Sequence, residues 1–438
     1  MKQSITITAE KNPIIRRMGV CDPHLHAFNG KMYMYNSHDA VPGSEPFITR
    51  DWLIWSSDDC VNWKLESVLK PEDLFMGKSD RCWAVDCAER DGKYYLYYSD
   101  GSERVGVAVS DDPGGPFHEA LGRPLLDGTL TPTAEYDPCV FRDDDGEYYI
   151  LFGGPCWAYG KDAGYYIARL SEDMVSLAEA PKKIDLDHDG DDKVSLNKFN
   201  GRYYLSYGGF YAISNNVYGP YSFVGHSGSS IDHTSFCEWN GQLFHGITVL
   251  DYYNNYRSSG IVYAHLRENG EIVVDPLIME YGVGQYDSDW NRIEAEWFMS
   301  GKNIRKVENS DYCGFSVACS EKAVLTFPKI RNLENKKGFA LFGDWVGGGT
   351  VELREKNEDG NILGVLELKY EVHRFNDAVF NWRNRRRSHL IFDKALADNL
   401  DLCLVVKPDP GAEIRIDHFH FFAEPCRFED LINCQPEV

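Results

Sequence analysis

The chain has no surplus of positive charge: 45 Lys and Arg stand against 68 Asp and Glu, a formal charge of −23. Phosphate binding needs a basic face, and membrane surfaces are themselves negative, so neither a nucleic acid nor a membrane is an expected partner. The only basic cluster, Arg383 to Arg387 with Asn384 interrupting it, reads as a solvated loop. No apolar stretch is long enough to span a bilayer. The opening MKQSITITAEK lacks the apolar run of a signal peptide, so a cytoplasmic location is expected. The 12 cysteines include no CxxC pair and no Cys-His set at zinc spacing. Most fall inside strand-like runs, Cys139 and Cys237 among them, and read as reduced thiols used as small hydrophobes. Long helical periodicity is missing as far as about residue 280.

Aromatic residues are abundant, at 13%, and tyrosines come in pairs: Tyr94-Tyr95, Tyr148-Tyr149, Tyr203-Tyr204. They belong to a repeat. In GVCDPHLHAFNGKMYMYNSHD, from Gly19 to Asp39, a strand, an Asn29-Gly30 turn and a return strand follow one another. Asn-Gly favours a two-residue hairpin because both central residues tolerate positive φ. The pattern returns as CAERDGKYYLYYSD around Gly92, VFRDDDGEYYILFGG around Gly146, LNKFNGRYYLSYGG around Gly201 and FCEWNGQLFHGITV around Gly241. These copies lie 40 to 62 residues apart, the range of propeller blades. No single hairpin can bury both its faces, so the copies must pack around a common axis. The expectation is an all-β chain, with a five-bladed β-propeller over residues 1–285. Past a linker, GVGQYDSDW, short strands alternate with turns such as Asn357-Glu358-Asp359-Gly360. A β-sandwich over 290–438 is expected there.

Residues at equivalent places in propeller blades converge at one end of the axis. Read back from each turn glycine, the first strands begin at Asp22, Val85-Asp86, Asp137, Asp192 and His233. Each Asp alone could cap a turn. Converging carboxylates are harder to explain as filling, because burial costs several kcal/mol unless the charge is paired. Two carboxyls facing across a cleft suit glycoside hydrolysis: one activates water or attacks the sugar, the other protonates the leaving oxygen. A third can hold the acid's pKa up by repulsion.

Asp22-Pro23-His24 with FNGKMYMYNSHD, Trp83-Ala84-Val85-Asp86, Tyr136-Asp137-Pro138 with FRDDDGEYYILFGG, and VGVAVSDDPGGPFHEALGRPLL together resemble glycoside hydrolase family 43 over about residues 13 to 280. The resemblance implies an inverting mechanism with three carboxylates. Asp22 matches the general base and Asp137 the aspartate that tunes the acid and orients substrate. Where the family carries its acid, a Glu nine residues before the fourth turn glycine, this chain has Asp192. That side chain is one methylene shorter, and Asp191 and Lys193 flank it. His233 matches an axial histidine near calcium or its waters, with a neutral hydrogen-bonded histidine as the competing reading. Arg257 matches a substrate-reaching arginine and Trp83 a wall of the sugar pocket; a strand-edge ion pair and core packing compete with these. Asp86 joins the substrate-binding set. His24 and His26 flank the base without a catalytic part.

IEAEWF, GGGTVELREKNEDGNILGVLEL and EIRIDHFHFF resemble a family 6 carbohydrate-binding module. The resemblance implies calcium held by Glu294, Glu296 and Asp417, with Trp345 and Trp382 as candidates for a sugar-binding face. No organic cofactor is implied. The resulting reading is an exo-acting glycosidase that removes arabinofuranose or xylose units from plant-cell-wall oligosaccharides. The alternative is a non-catalytic glycan-binding propeller that lost its acid at Asp192. A transferase or phosphorylase is a third reading, for which the sequence offers no basic phosphate pocket.

Overall fold

The computed structural model describes residues 5–160, 162–228, 232–250, 255–309, 314–369 and 386–424. The chain divides into two compact units, Met1–Glu238 with Leu243–Gly282, and Trp239–Gln242 with Val283–Val438. Strands dominate both; the described helices are short, Cys156–Tyr159 and Pro276–Tyr281 with two single 3-10 turns.

The first unit holds five sheets, one for each repeat. Sheet one runs Thr6–Thr8, Asn62–Leu69, Thr49–Ser57, Lys31–Asp39, Val20–Phe28 in pairing order. Thr6–Thr8 is its outer edge. The other four sheets each take four strands in chain order, opening with Cys82–Arg90, Cys139–Arg142, Val194–Phe199 and Thr234–Trp239. The turn chemistry explains the hairpins. Asn29 and Gly30, Asp91 and Gly92, Asn200 and Gly201, and Asn240 and Gly241 all have positive φ, as a tight hairpin turn with the strands' own twist requires. The DDDG turn is longer, and its glycine, Gly146, has φ +86°.

The core lies between neighbouring sheets. Tyr35, Trp52 and Ile54 of sheet one pack on Val85, Leu96 and Tyr98 of sheet two. Similar clusters join sheets two and three, three and four, and four and five. Sheets five and one meet through hydrogen bonds: the Asn36 amide donates to Ser259 Oγ at 3.0 Å, and the Leu25 N–H to Ser235 Oγ at 3.1 Å. The aromatic second strands thus fill the gaps between sheets, where large flat side chains bury most area.

In the second unit, one sheet orders Tyr286–Asp287, Ala323–Arg331, Leu400–Pro408, Gly349–Glu355 and Ile362–Leu368, with Ser300–Lys302 also on Ala323–Arg331. The other orders Arg305–Glu308, Phe315–Cys319, Glu413–Phe422, Gly338–Val346 and Arg386–Ile391, with Ile293–Glu294 on Glu413–Phe422. Phe327 and Phe419 meet edge to face at 4.8 Å between them. Arg386 and Arg387, expected in a loop, begin a strand; Arg383 lies outside the described residues. Trp345, expected on an open face, is buried, and its indole N–H donates to Lys369 O at 3.3 Å. Alternation places it with the apolar side of its strand. Trp382 lies outside the described residues.

Candidate active site

Asp22 and Asp137 share an uncommon backbone. Each precedes a proline, and each has φ +52°. At Asp22 the ladder with Lys31–Asp39 slips between Cys21 and His24. The bulge frees the Asp22 N–H, which donates to Thr248 Oγ1 at 3.1 Å; the Asp137 N–H donates to Ser99 Oγ at 2.8 Å. Bulges re-aim side chains, and left-handed non-glycine residues cost free energy that surrounding structure must offset. Two repeats therefore turn an aspartate the same way, by the same device.

Both aspartates open onto a cavity of about 240 Å³. Asp191, Asp192, His233 and Arg257 continue the polar wall, while Phe47, Trp83, Tyr136, Trp157 and Tyr159 supply aromatic surface. Rings run edge to face from Phe47 to Trp83 at 6.1 Å and from Trp83 to Tyr136 at 5.9 Å, and Tyr136 meets Tyr159 at 5.5 Å.

Charge in the polar wall is tightly paired. Arg257 donates to Asp22 Oδ1 at 2.8 Å and to Asp39 Oδ1 at 2.9 Å, and its Nη1 lies 3.4 Å from Asp232 Oδ2. His233 Nε2 lies 3.1 Å from Asp192 Oδ1 and 3.4 Å from Asp137 Oδ2. Asp232 Oδ1 lies 3.7 Å from the same His233 Nε2, so Asp192 and Asp232 stand on one imidazole. Two carboxyls brought this close favour keeping a proton on one of them.

These contacts set the protonation states. Burial pushes Asp22 up, but the Arg257 guanidinium, the His233 charge and the Ser37 hydroxyl together hold the carboxyl below its ordinary value. Burial lifts Asp137 to about 6, with Asp192 adding to the rise and His233 opposing it. Burial also raises Asp232, to about 7, against the pull of Arg257. Asp192, despite its own burial penalty, is lowered by the His233 charge. Burial works against the His233 imidazolium, but Asp22, Asp192 and Asp137 overcome it and raise its pKa to about 10. One Asp137 oxygen, Oδ1, is buried without a hydrogen-bond partner.

Asp86 does not line the cavity. It is fully buried and accepts from the Cys87 N–H at 2.6 Å and the Val140 N–H at 2.5 Å, with His26 Nε2 at 2.6 Å and His24 Nε2 at 3.1 Å. Oδ1 takes three of these contacts and Oδ2 the fourth, so Asp86 ties sheets one, two and three together instead of meeting substrate. Lys193 points the same way. Its ammonium lies 2.8 Å from His24 Nδ1 and donates to Val85 O at 2.8 Å. Asp39, Asp232, Phe47 and Trp157 escaped the sequence reading. Asp39 ends the first hairpin and Asp232 precedes His233, but nothing in one-dimensional spacing separates them from turn aspartates. Tyr252 to Asn254, shortly before Arg257 in the chain, lie outside the described residues.

In the second unit, Glu294, Asp417 and His418 offer ligand atoms within 4.8 Å of one another. The Arg292 guanidinium bonds Glu294 Oε1 and lies 3.2 Å from Asp417 Oδ2. Glu296 accepts from the Phe315 N–H at 3.2 Å, while its Oε2 is buried with no partner. Burial, then the charge of Glu294, raises the Glu296 pKa well above the carboxylate range.

Comparison with known proteins agrees with this geometry. The family model for glycosyl hydrolases family 43 matches residues 10–194. A xylosidase/arabinosidase from Bacteroides ovatus is 32% identical over 271 residues, 49% of this chain and 80% of that protein. An arabinoxylan arabinofuranohydrolase from Bacillus subtilis (strain 168) is 25% identical over 82% of this chain and 83% of its own length. Among solved structures, a family 43 β-xylosidase/α-arabinofuranosidase from a compost metagenome, in complex with xylotriose and in calcium-free form, matches with TM-score 0.52. It is 31% identical and covers 61% of this chain and 98% of its own. The Bacillus subtilis family 43 arabinoxylan arabinofuranohydrolase in complex with cellotetraose shares the fold at TM-score 0.55 and 20% identity, over 95% of this chain and 99% of that one. With close to a third of the aligned residues identical over four fifths of the Bacteroides ovatus protein, the chain is a glycoside hydrolase and belongs to glycosyl hydrolases family 43.

Proposed function

We propose that the protein is an inverting exo-glycosidase that removes arabinofuranose or xylose units from plant-cell-wall oligosaccharides. The observation that carries this is the convergence of Asp22, Asp137 and Asp192 on one wall of a small cavity whose other surface is aromatic. At about 240 Å³ the cavity is smaller than the roughly 300–1,000 Å³ typical of drug-sized ligands, which suits a single terminal sugar ring. Names of relatives point to the same pentoses. We read the five sheets as blades of a five-bladed propeller, residues 1–285, and the two six-stranded sheets as a sandwich, residues 290–438, like a family 6 carbohydrate-binding module.

In this mechanism Asp22, kept ionised by Arg257, removes a proton from water as the water attacks the anomeric carbon. The bond to the leaving oxygen breaks, and that oxygen takes a proton from Asp192. Asp192 faces the cavity and Asp232 lies behind it, so the proton that burial keeps on Asp232 passes through Asp192 to the leaving oxygen, and solvent returns a proton to the pair after the product leaves. This arrangement answers the missing methylene: two short carboxyls take the place of one longer one. The unpartnered Asp137 Oδ1 is placed to accept a hydrogen bond from a sugar hydroxyl.

Calcium, implied by the family, does not fit the His233 ring, because three aspartates hold that imidazole as a cation and calcium takes oxygen ligands. It fits one place. In the second unit Glu294 and Asp417, with His418, offer ligand atoms within 4.8 Å of one another, and the buried Glu296 Oε2 has no partner. Such an ion would neutralise these buried acids and brace the fold.

The test is hydrolysis of nitrophenyl arabinofuranoside and xyloside with the first product anomer followed by NMR. Release of the pentose with inverted configuration is expected. A retained anomer rejects the inverting mechanism, and no turnover of either compound favours the glycan-binding alternative.

A further inference from the structure

The cavity accepts one ring, so the rest of any oligosaccharide must lie at its mouth. Three large aromatic side chains stand exposed there: Trp157 at 72%, Phe47 at 57% and Tyr159 at 38% of full exposure. Singly exposed apolar residues need no explanation, but three around one opening form a patch, and such patches mark binding surfaces. They are not equivalent. Phe47 belongs to the base side, since the Arg257 guanidinium lies 5.6 Å from its ring centre and its carbonyl accepts from the Trp83 indole at 3.0 Å. Trp157 belongs to the acid side. It sits on the short helix Cys156–Tyr159, whose first N–H donates to Asp189 O at 3.3 Å. Asp189 leads directly into Asp191 and Asp192. The helix is also fixed by Cys156 Sγ, 3.2 Å from Ala163 O, and by the Gly160 N–H on Cys156 O at 2.9 Å.

In an inverting hydrolysis the leaving group departs past the proton donor, on the face opposite the attacking water. From this asymmetry we propose that Trp157 is the platform on which the leaving-group sugar stacks, a binding subsite for the second ring of the oligosaccharide. The flat apolar face of a pyranose ring matches an indole in size and polarity, as carbohydrate C–H groups meet the negative face of the ring. Because its helix is bonded to the segment carrying Asp192, the platform fixes the leaving oxygen relative to the acid. Nothing in the core needs this indole, so its role lies in recognition. The inference rests on the glycosidase reading above and on the acid side being that of Asp192.

A substrate with and without a second ring separates the two. The disaccharide has a leaving-group sugar; the glycosyl fluoride of the same pentose has none. In Trp157→Ala the ratio of kcat/KM for disaccharide over fluoride should fall at least tenfold, carried mainly by KM. Trp157→Phe, which keeps an aromatic face, should return the ratio to within about threefold of wild type. A ratio unchanged by Trp157→Ala overturns the platform while leaving the glycosidase intact. Failure of the wild type to hydrolyse either compound overturns the glycosidase reading itself, and the platform with it.

Discussion

Removing the charge of Arg257 tests the electrostatic design of the site most directly. Its guanidinium lies 2.8 Å from Asp22 and 2.9 Å from Asp39. Coulomb's law at an effective dielectric of about 20 gives about 6 kcal/mol for unit charges at that separation. Desolvating the guanidinium offsets much of this. If a third survives, about 2 kcal/mol, loss of the charge raises the Asp22 pKa by about 1.5 units at 1.36 kcal/mol each. The ionised base is needed for turnover, so the acid limb of kcat/KM should move about 1.5 units to higher pH in Arg257→Gln. At a pH below both limbs this is about 30-fold in rate. Arg257→Lys keeps the charge and should hold the limb in place. The shape of the profile is read, not its height, because losing a substrate contact changes height alone. Stability moves too. Asp22 has a depressed folded pKa, so its contribution is present above the unfolded value near 3.9 and is lost as pH falls through the folded one. Breaking a buried pair costs about 3–5 kcal/mol. At about 2–4 °C per kcal/mol for a unit of this size, Tm at neutral pH should fall by about 6–20 °C. An acid limb in Arg257→Gln that coincides with wild type would refute the assignment of Asp22 as a base held ionised by this arginine.

Asp22→Asn keeps shape and removes charge, so turnover should drop by orders of magnitude while ligand affinity, measured by calorimetry, changes little; near-normal turnover rejects the base. Asp192→Ala should cut activity strongly on natural oligosaccharides and far less on aryl glycosides with acidic phenols, which leave without a proton; an equal loss on both places the donor elsewhere. The basic limb of kcat/KM should lie near pH 7, where burial has brought Asp232, and Asp232→Asn should displace it; a limb indifferent to that change excludes the shared proton. Calcium should raise the Tm of the second unit, and Asp417→Asn should abolish the increment, since it removes one carboxylate from the donor set; a calorimetric trace unaltered by calcium or chelator counts against an ion there.

The hairpins were legible in the sequence because their determinants are local. Asn29-Gly30, Asp91-Gly92, Asn200-Gly201 and Asn240-Gly241 each encode a turn within two residues, and the paired tyrosines encode a strand with one face in a core. Equivalent spacing from those turns was enough to pick out Asp22, Asp137, Asp192 and His233, since repetition carries position around the axis. Tertiary structure alone decided which acids meet the cavity. Asp86 occupies a matching place in its repeat, yet His24 and His26 of sheet one and the Val140 N–H of sheet three close over it. Asp232 and Asp39 carry no distinguishing neighbours in sequence, and acquire their part because Arg257, just before the strand Ser258–Leu266, reaches both. Trp345 looked like a platform and is core, whereas Trp157 looked like nothing and stands at the cavity mouth. The sequence determines which residues can turn, pair and bury. Which carboxylates keep their protons depends on charges brought within a few ångströms by separate sheets, and that proximity exists only in the folded chain.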